Sequence, residues 1–211
     1  METVHVLLTG FEPFGTPLPK ENRSWQVIKQ LSGREIIVGN TKAVCHCYEL
    51  PVSYNPVATM LPQMHLEHNF GLVVHCGESI SGIVKLETCA SKHGYKKPGN
   101  GGADDLPECG SIAGYNTPDT LFTEVDVEGL RKSLVANGWL SVATSNDAGR
   151  YLCEFTYYIS LALAQTAYPE RCATAPKTLF VHVPPKPLDP YSDQQLADII
   201  RDIICYFASR I

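Results

Sequence analysis

Long apolar runs are missing from this 211-residue chain. The longest are Val6-Leu7-Leu8 near the start and Ile203-Ile204-Cys205-Tyr206-Phe207-Ala208 near the end. Both fall far short of the roughly 20 residues a membrane-spanning helix needs, so no membrane partner is expected. Basic runs are missing too. The 17 Lys and Arg are outnumbered by 22 Asp and Glu, giving a net charge of −5, which argues against nucleic acid as a partner. No segment recurs at a fixed period, which excludes collagen-like and solenoid architectures. The opening residues, Met1-Glu2-Thr3-Val4-His5, lack the basic head and apolar core of a signal peptide, so a cytoplasmic location is expected. Disorder is excluded in turn by what is present: 44% of residues are hydrophobic, enough for a core in one domain spanning residues 1–211.

Cysteine is not scarce. Cys45, Cys47, Cys76, Cys89, Cys109, Cys153, Cys172 and Cys205 are scattered, and several lie inside apolar runs. With no export signal, they read as free thiols in a reducing compartment. Cys45 and Cys47 share a strand face without a second ligand pair, so zinc is not expected there. The reading requires neither metal nor cofactor.

Strand-like and helix-like segments alternate along the chain. Val4–Leu8, Glu35–Val38, Ala43–Leu50, Leu72–Cys76, Leu140–Thr144 and Leu179–Val183 read as strands, and Ile83–Cys89 as strand or extended loop. Helices are predicted over Ser24–Leu31 (capped by Asn22 or Ser24), from Asn55 to about Glu67, over Val125–Ala136 and Gly149–Gln165, and over Ser192–Ser209. This alternation predicts an α/β fold: three layers, α/β/α, with a mostly parallel central sheet and helices on both faces. Residues 91–119, rich in Gly, Pro, Asn and Asp, form a long connection of the kind that serves as a lid or stays partly mobile. Within it, Gly99-Asn100-Gly101-Gly102 lacks the context of a phosphate loop and reads as a flexible stretch. Gly77-Glu78-Ser79-Ile80-Ser81-Gly82 likewise misses the spacing of a serine nucleophile elbow.

In such a sheet, ligands gather at the carboxyl ends of strands. Cys153 follows the strand at 140–144 and falls in the first turn of the next helix, with Asn146 or Asp147 as cap. The unpaired N–H groups and the helix dipole there favour a thiolate and suit an oxyanion. His182 closes its own strand just before Pro184-Pro185. Two parallel strands leading to Cys153 and His182 would deliver both to one sheet edge, where a nucleophile meets its base. Glu87 is the carboxylate nearest that rim, although alone it reads as an exposed charge.

Six segments resemble, in order, the pyroglutamyl peptidase I family of cysteine peptidases. They are Thr9-Gly10-Phe11-Glu12-Pro13-Phe14-Gly15, Asn22-Arg23-Ser24-Trp25, Tyr48-Glu49-Leu50-Pro51-Val52, Val73-Val74-His75-Cys76-Gly77, Asp147-Ala148-Gly149-Arg150-Tyr151-Leu152-Cys153 and Phe180-Val181-His182-Val183-Pro184. The resemblance implies a Cys-His-Glu triad of Cys153, His182 and Glu87. It also implies that Phe11 and Phe14 enclose a lactam ring, and that peptides with an N-terminal pyroglutamate are the substrates. Members act alone or as homo-oligomers, so assembly stays open. Lys96 or Lys97 stands near a basic position of some members. The chain departs from the family pattern at Glu78 and Glu154, and carries an apparent insertion over 166–177. Those two carboxylates motivate an alternative, a catalytically weak homologue that binds pyroglutamyl peptides or a protein partner.

Overall fold

The computed structural model describes residues 1–167, 174–186 and 190–210. Pro169, Arg171 and Cys172 of the apparent insertion lie outside the described residues. Seven strands form one sheet in the order β2-β3-β1-β4-β9-β5-β8. They are β1 (Glu2–Phe11), β2 (Glu35–Val38), β3 (Thr41–Leu50), β4 (Phe70–Glu78), β5 (Val84–Glu87), β8 (Val142–Ser145) and β9 (Lys177–Val183). A separate antiparallel pair joins β6 (Cys89–Ser91) to β7 (Thr120–Phe122). The stretch 83–89 is therefore strand first and the start of a second strand after Thr88, not a loop. Strands β3, β1, β4 and β9 run parallel.

Alternation along each strand sorts side chains onto two faces. Val6, Leu8, Val74, Leu179 and Val181 pack beneath α1 (Arg23–Ile28), α3 (Val127–Ala136) and α5 (Asp193–Ala208). Leu7, Phe11, Val73 and Phe180 pack beneath α2 (Tyr54–Glu67) and α4 (Leu152–Thr166). The layers are those the alternation predicts. No helix among the described residues is long and apolar enough to cross a membrane.

Local chemistry sets most helix ends. Asn22 accepts from the Ser24 N–H and caps α1, and Ser192 with Gln195 forms a capping box on α5. α2 is capped from a distance. Buried Asp105 accepts from Ser53 Oγ at 2.7 Å and from the N–H groups of Tyr54 and Asn55 at 2.5 and 2.9 Å. This contact anchors the long connection 91–119. Gly99 and Gly101 serve close approach: a Cβ would stand 2.2 Å from the Val52 carbonyl oxygen on Gly99 and 2.6 Å from Ser53 Oγ on Gly101, while Gly102 takes a positive φ of 76°.

Two expectations about the nucleophile's surroundings are corrected. β8 pairs parallel with β5, and β5 pairs antiparallel with β9, so the strands leading to Cys153 and His182 run in opposite directions. The segment 146–151 carries the chain from the end of β8 to α4. α4 starts at Leu152, not Gly149, and neither Asn146 nor Asp147 caps it. Gly149 and Arg150 hold positive φ of 97° and 49°, which breaks the helix before that point. The buried Glu154 carboxylate, in the first turn, reaches back to accept the Arg150 N–H at 2.6 Å and holds the chain just before the helix.

Candidate active site

Strand register places four residues of β4, β9 and β5 on the α4 side. Gly77 lies opposite His182 in the parallel β4–β9 pair. Glu87 lies opposite Phe180 in the antiparallel β9–β5 pair, which sets it diagonal to His182. The diagonal is closed by a hydrogen bond between His182 Nδ1 and Glu87 Oε1 at 2.8 Å. Glu87 is fully buried, and its Oε2 has no hydrogen-bond partner among the described residues. The surface charge its sequence context suggests is instead a core carboxylate facing an imidazole.

Cys153 sits in the first turn of α4 with its sulfur against Gly77, the residue opposite His182, and acts electrostatically on the imidazole. With Nδ1 committed to Glu87, Nε2 is the nitrogen left for the sulfur. Burial pulls the His182 imidazolium downward, but its interactions with Cys153 and Glu87 outweigh this and raise its pKa to about 9. His75, quoted in the same sheet-end motifs, shows the contrasting case. It is held between Thr9 Oγ1 and Ser160 Oγ at 2.7 Å each, and burial with the nearby His65 lowers its pKa to about 3. It is a satisfied core histidine.

The sulfur fits against the sheet because residue 77 has no side chain. A Cβ there would lie 2.8 Å from Cys153 Sγ and 2.9 Å from Phe180 Cζ. Beside the thiol lies a narrow cleft lined by Phe11, Phe14, Asn22, Val52, Glu78, Tyr151, Leu152 and Cys153. Phe11 is buried and belongs to the core while lining the cleft. Phe14 is half-buried and tilts against Tyr151 at 5.8 Å between ring centroids. Glu12, between the phenylalanines, braces their loop by accepting from the Val52 N–H at 3.0 Å and from Asn100 Nδ2 at 2.9 Å. Of the two lysines singled out, Lys97 stands 4.8 Å over the Tyr151 ring at the rim, and Lys96 is exposed.

The two unusual carboxylates are both engaged. Glu78 Oε2 accepts the Arg23 N–H at 2.9 Å. Glu154 accepts from the Ser91 and Arg150 N–H groups and pairs with the Arg150 guanidinium. Arg23, buried, donates to Asp193 and to the carbonyls of Pro184 and Tyr191, fixing the exit of β9 just beyond His182. The sequence pattern assigns no site role to Gly77, Glu12 or Tyr151, and only a capping role to Asn22, although all four lie in the family-like segments.

Residues 4–198 match the family model described as pyroglutamyl peptidase. The curated pyroglutamyl-peptidase 1 of Mus musculus is 36% identical over 203 residues, covering 94% of this chain and 87% of its own length. The protein of the same name from Homo sapiens is 34% identical over the same shares. The crystal structure of pyrrolidone carboxyl peptidase from Fervidobacterium islandicum AW-1 superposes with a TM-score of 0.78 at 27% identity, covering 96% of this chain and 97% of that one. This chain belongs to the pyroglutamyl peptidase family.

Proposed function

We propose that the chain, acting as one α/β domain, is a cysteine peptidase that removes an N-terminal pyroglutamyl (5-oxoproline) residue from peptides. Cys153 is the nucleophile, His182 the acid and base, and Glu87 the residue that orients His182. The reading is supported by one observation, the hydrogen bond from His182 to buried Glu87 with the Cys153 sulfur nearby, beside an aromatic cleft.

A pyroglutamyl terminus is compact and uncharged, with no free amine for an acidic anchor to hold. A slot between aromatic faces suits such a ring, with backbone groups at the rim meeting the lactam N–H and C=O. Phe11 and Phe14 supply those faces. Other N-terminal residues leave the rim groups unpaired and are rejected.

Cys153 Sγ, its proton held by His182, bonds to the carbonyl carbon of the oxoproline residue. The oxyanion that forms is met by the Cys153 N–H, one of the unpaired donors in the first turn of α4. The His182 imidazolium gives its proton to the departing amine as the C–N bond breaks, leaving a thioester. His182 then takes a proton from water, whose oxygen attacks the thioester carbon. Sγ departs and pyroglutamate is released. Glu87 fixes the tautomer and supports the positive charge throughout. The engaged positions of Glu78 and Glu154 weaken the case for a merely binding homologue, since neither carboxylate is aimed at the thiol's base.

The test is release of a fluorophore from a pyroglutamyl conjugate by the folded, reduced protein. Turnover is expected in the wild type and is expected to vanish in Cys153→Ala and after alkylation by iodoacetamide. A folded wild type without turnover would overturn the assignment.

A further inference from the structure

Far from the thiol, three histidines converge from separate elements. His5 on β1 and His46 on β3 point to the α2 side of the sheet, and His68 closes α2. His5 pairs in register with Phe70 of β4, seven residues before Gly77. At about 3.3 Å per residue, the cluster lies roughly 20 Å from Cys153.

The three rings offer one nitrogen each, all within 4.8 Å of one another, and all three residues are half-buried. His5 Nδ1 and His46 Nε2 stand 2.9 Å apart. His68 stacks on His5 at 4.7 Å and lies 4.1 Å from His46 between centroids. The His68 ring nitrogens have no hydrogen-bond partner among the described residues. Phe70 closes the base of the cluster edge-on to both His46 and His68.

We propose that His5, His46 and His68 form a binding site for a borderline divalent transition-metal ion such as zinc, nickel or cobalt. Three imidazole nitrogens on one side, with the fourth position left to water, are the donor set these ions favour. A tetrahedral centre with bonds of about 2.0 Å needs nitrogens about 3.4 Å apart, so small ring rotations close the triangle. Binding requires uncharged rings. Burial and the neighbouring His68 lower the pKa of His5, and burial with His68 and His5 lowers that of His46 despite Glu67. Each bound ring keeps its one proton on the nitrogen turned away from the ion, so the hydrogen bond between His5 and His46 is exchanged for two metal bonds. Glu67, which accepts the Tyr48 hydroxyl, flanks the site as an outer acceptor. The ion would clip β1, β3 and the end of α2 together.

Cobalt(II) distinguishes this site from the thiols, because thiolate ligation adds an intense sulfur-to-metal absorption band that imidazole ligation lacks. Titration of the full chain is expected to show one saturable cobalt site with visible ligand-field bands and no sulfur band. Zinc should displace the cobalt, and Cys153→Ser should leave the site intact. His46→Ala and, separately, His68→Asn at the helix end should each weaken binding by more than about tenfold. Both should also abolish the metal-dependent rise in Tm. Unchanged affinity in the folded His68→Asn protein, a sulfur band that disappears in Cys153→Ser, or no saturable binding at millimolar cobalt would each overturn the proposal.

Discussion

Replacing Gly77 by alanine tests the site with a single methyl group. The added Cβ would stand 2.8 Å from Cys153 Sγ and 2.9 Å from Phe180 Cζ, against an ordinary contact distance of about 3.5–4.0 Å. Phe180 is fully buried and packed in the core, so the sulfur and the first turn of α4 must yield most of the difference, about 1 Å. A displacement of that size at a reacting atom costs about 100-fold in rate, equivalent to about 2.7 kcal/mol of transition-state stabilisation. Overpacking adds a stability loss of about 1–3 kcal/mol, or a fall in Tm of roughly 2–10 °C at this chain length. The assay is kcat/KM on a pyroglutamyl fluorogenic substrate, with the iodoacetamide alkylation rate as an independent report on the sulfur. Gly71→Ala is the control. On the same strand, its Cβ would crowd only the Val4 side chain, at 2.8 Å, so it should lose stability and keep kcat/KM. A Gly77→Ala protein with kcat/KM within threefold of wild type and an unchanged alkylation rate would refute the placement of Sγ against this glycine.

Glu87→Gln keeps the shape of the buried side chain and removes its charge. Without that charge, burial pulls the His182 pKa down from about 9, so the basic limb of kcat/KM should move to lower pH, and the rate should fall about 100-fold. The same shift bears on stability. Because the folded pKa of His182 lies above its ordinary 6.5, its contribution is complete below pH 6.5 and is lost as pH rises through about 9. Denaturant midpoints between pH 6 and 10 should therefore fall less steeply in Glu87→Gln than in wild type. Glu154→Ala leaves the N–H groups of Ser91 and Arg150 without their acceptor. Thermal unfolding should show a loss of about 2–4 kcal/mol, mostly from these donors because the guanidinium is half-exposed.

Local patterns made much of the fold legible. The caps at Asn22 and Ser192 are side-chain bonds spanning two or three residues, so the sequence alone carries them. The cap on α2 depends on Asp105, about 50 residues away, which no window along the chain reveals. The start of α4 is displaced for a local reason. Gly149-Arg150 looks compatible with a first turn, yet both residues take positive φ and the Arg150 N–H bonds the Glu154 side chain four residues on. The histidine cluster has no spacing motif at all, because β1, β3 and the end of α2 assemble it from residues 5, 46 and 68.

Strand direction is where the expectation from sequence and the structure part. Parallel strands ending in Cys153 and His182 were expected to share an edge, yet β8 runs against β9. The antiparallel step at β5 is what sets Glu87 beside His182. In an antiparallel pair, a residue lies on the same face as both its opposite neighbour and the residue two places along. Glu87 opposite Phe180 therefore also faces His182, close enough for the 2.8 Å bond. On the other side of β9, the parallel register sets Gly77 opposite His182 on that same face, and the missing side chain leaves room for Sγ to descend from α4. A one-residue slip of β5 against β9 would turn Glu87 to the opposite face, into the place Leu86 now holds beside Val181 and Val183. The buried carboxylate would then lose its only hydrogen-bonding side chain among the described residues, so the pairing that sets Glu87 beside His182 is also the one that keeps Glu87 from being a charge isolated in the core.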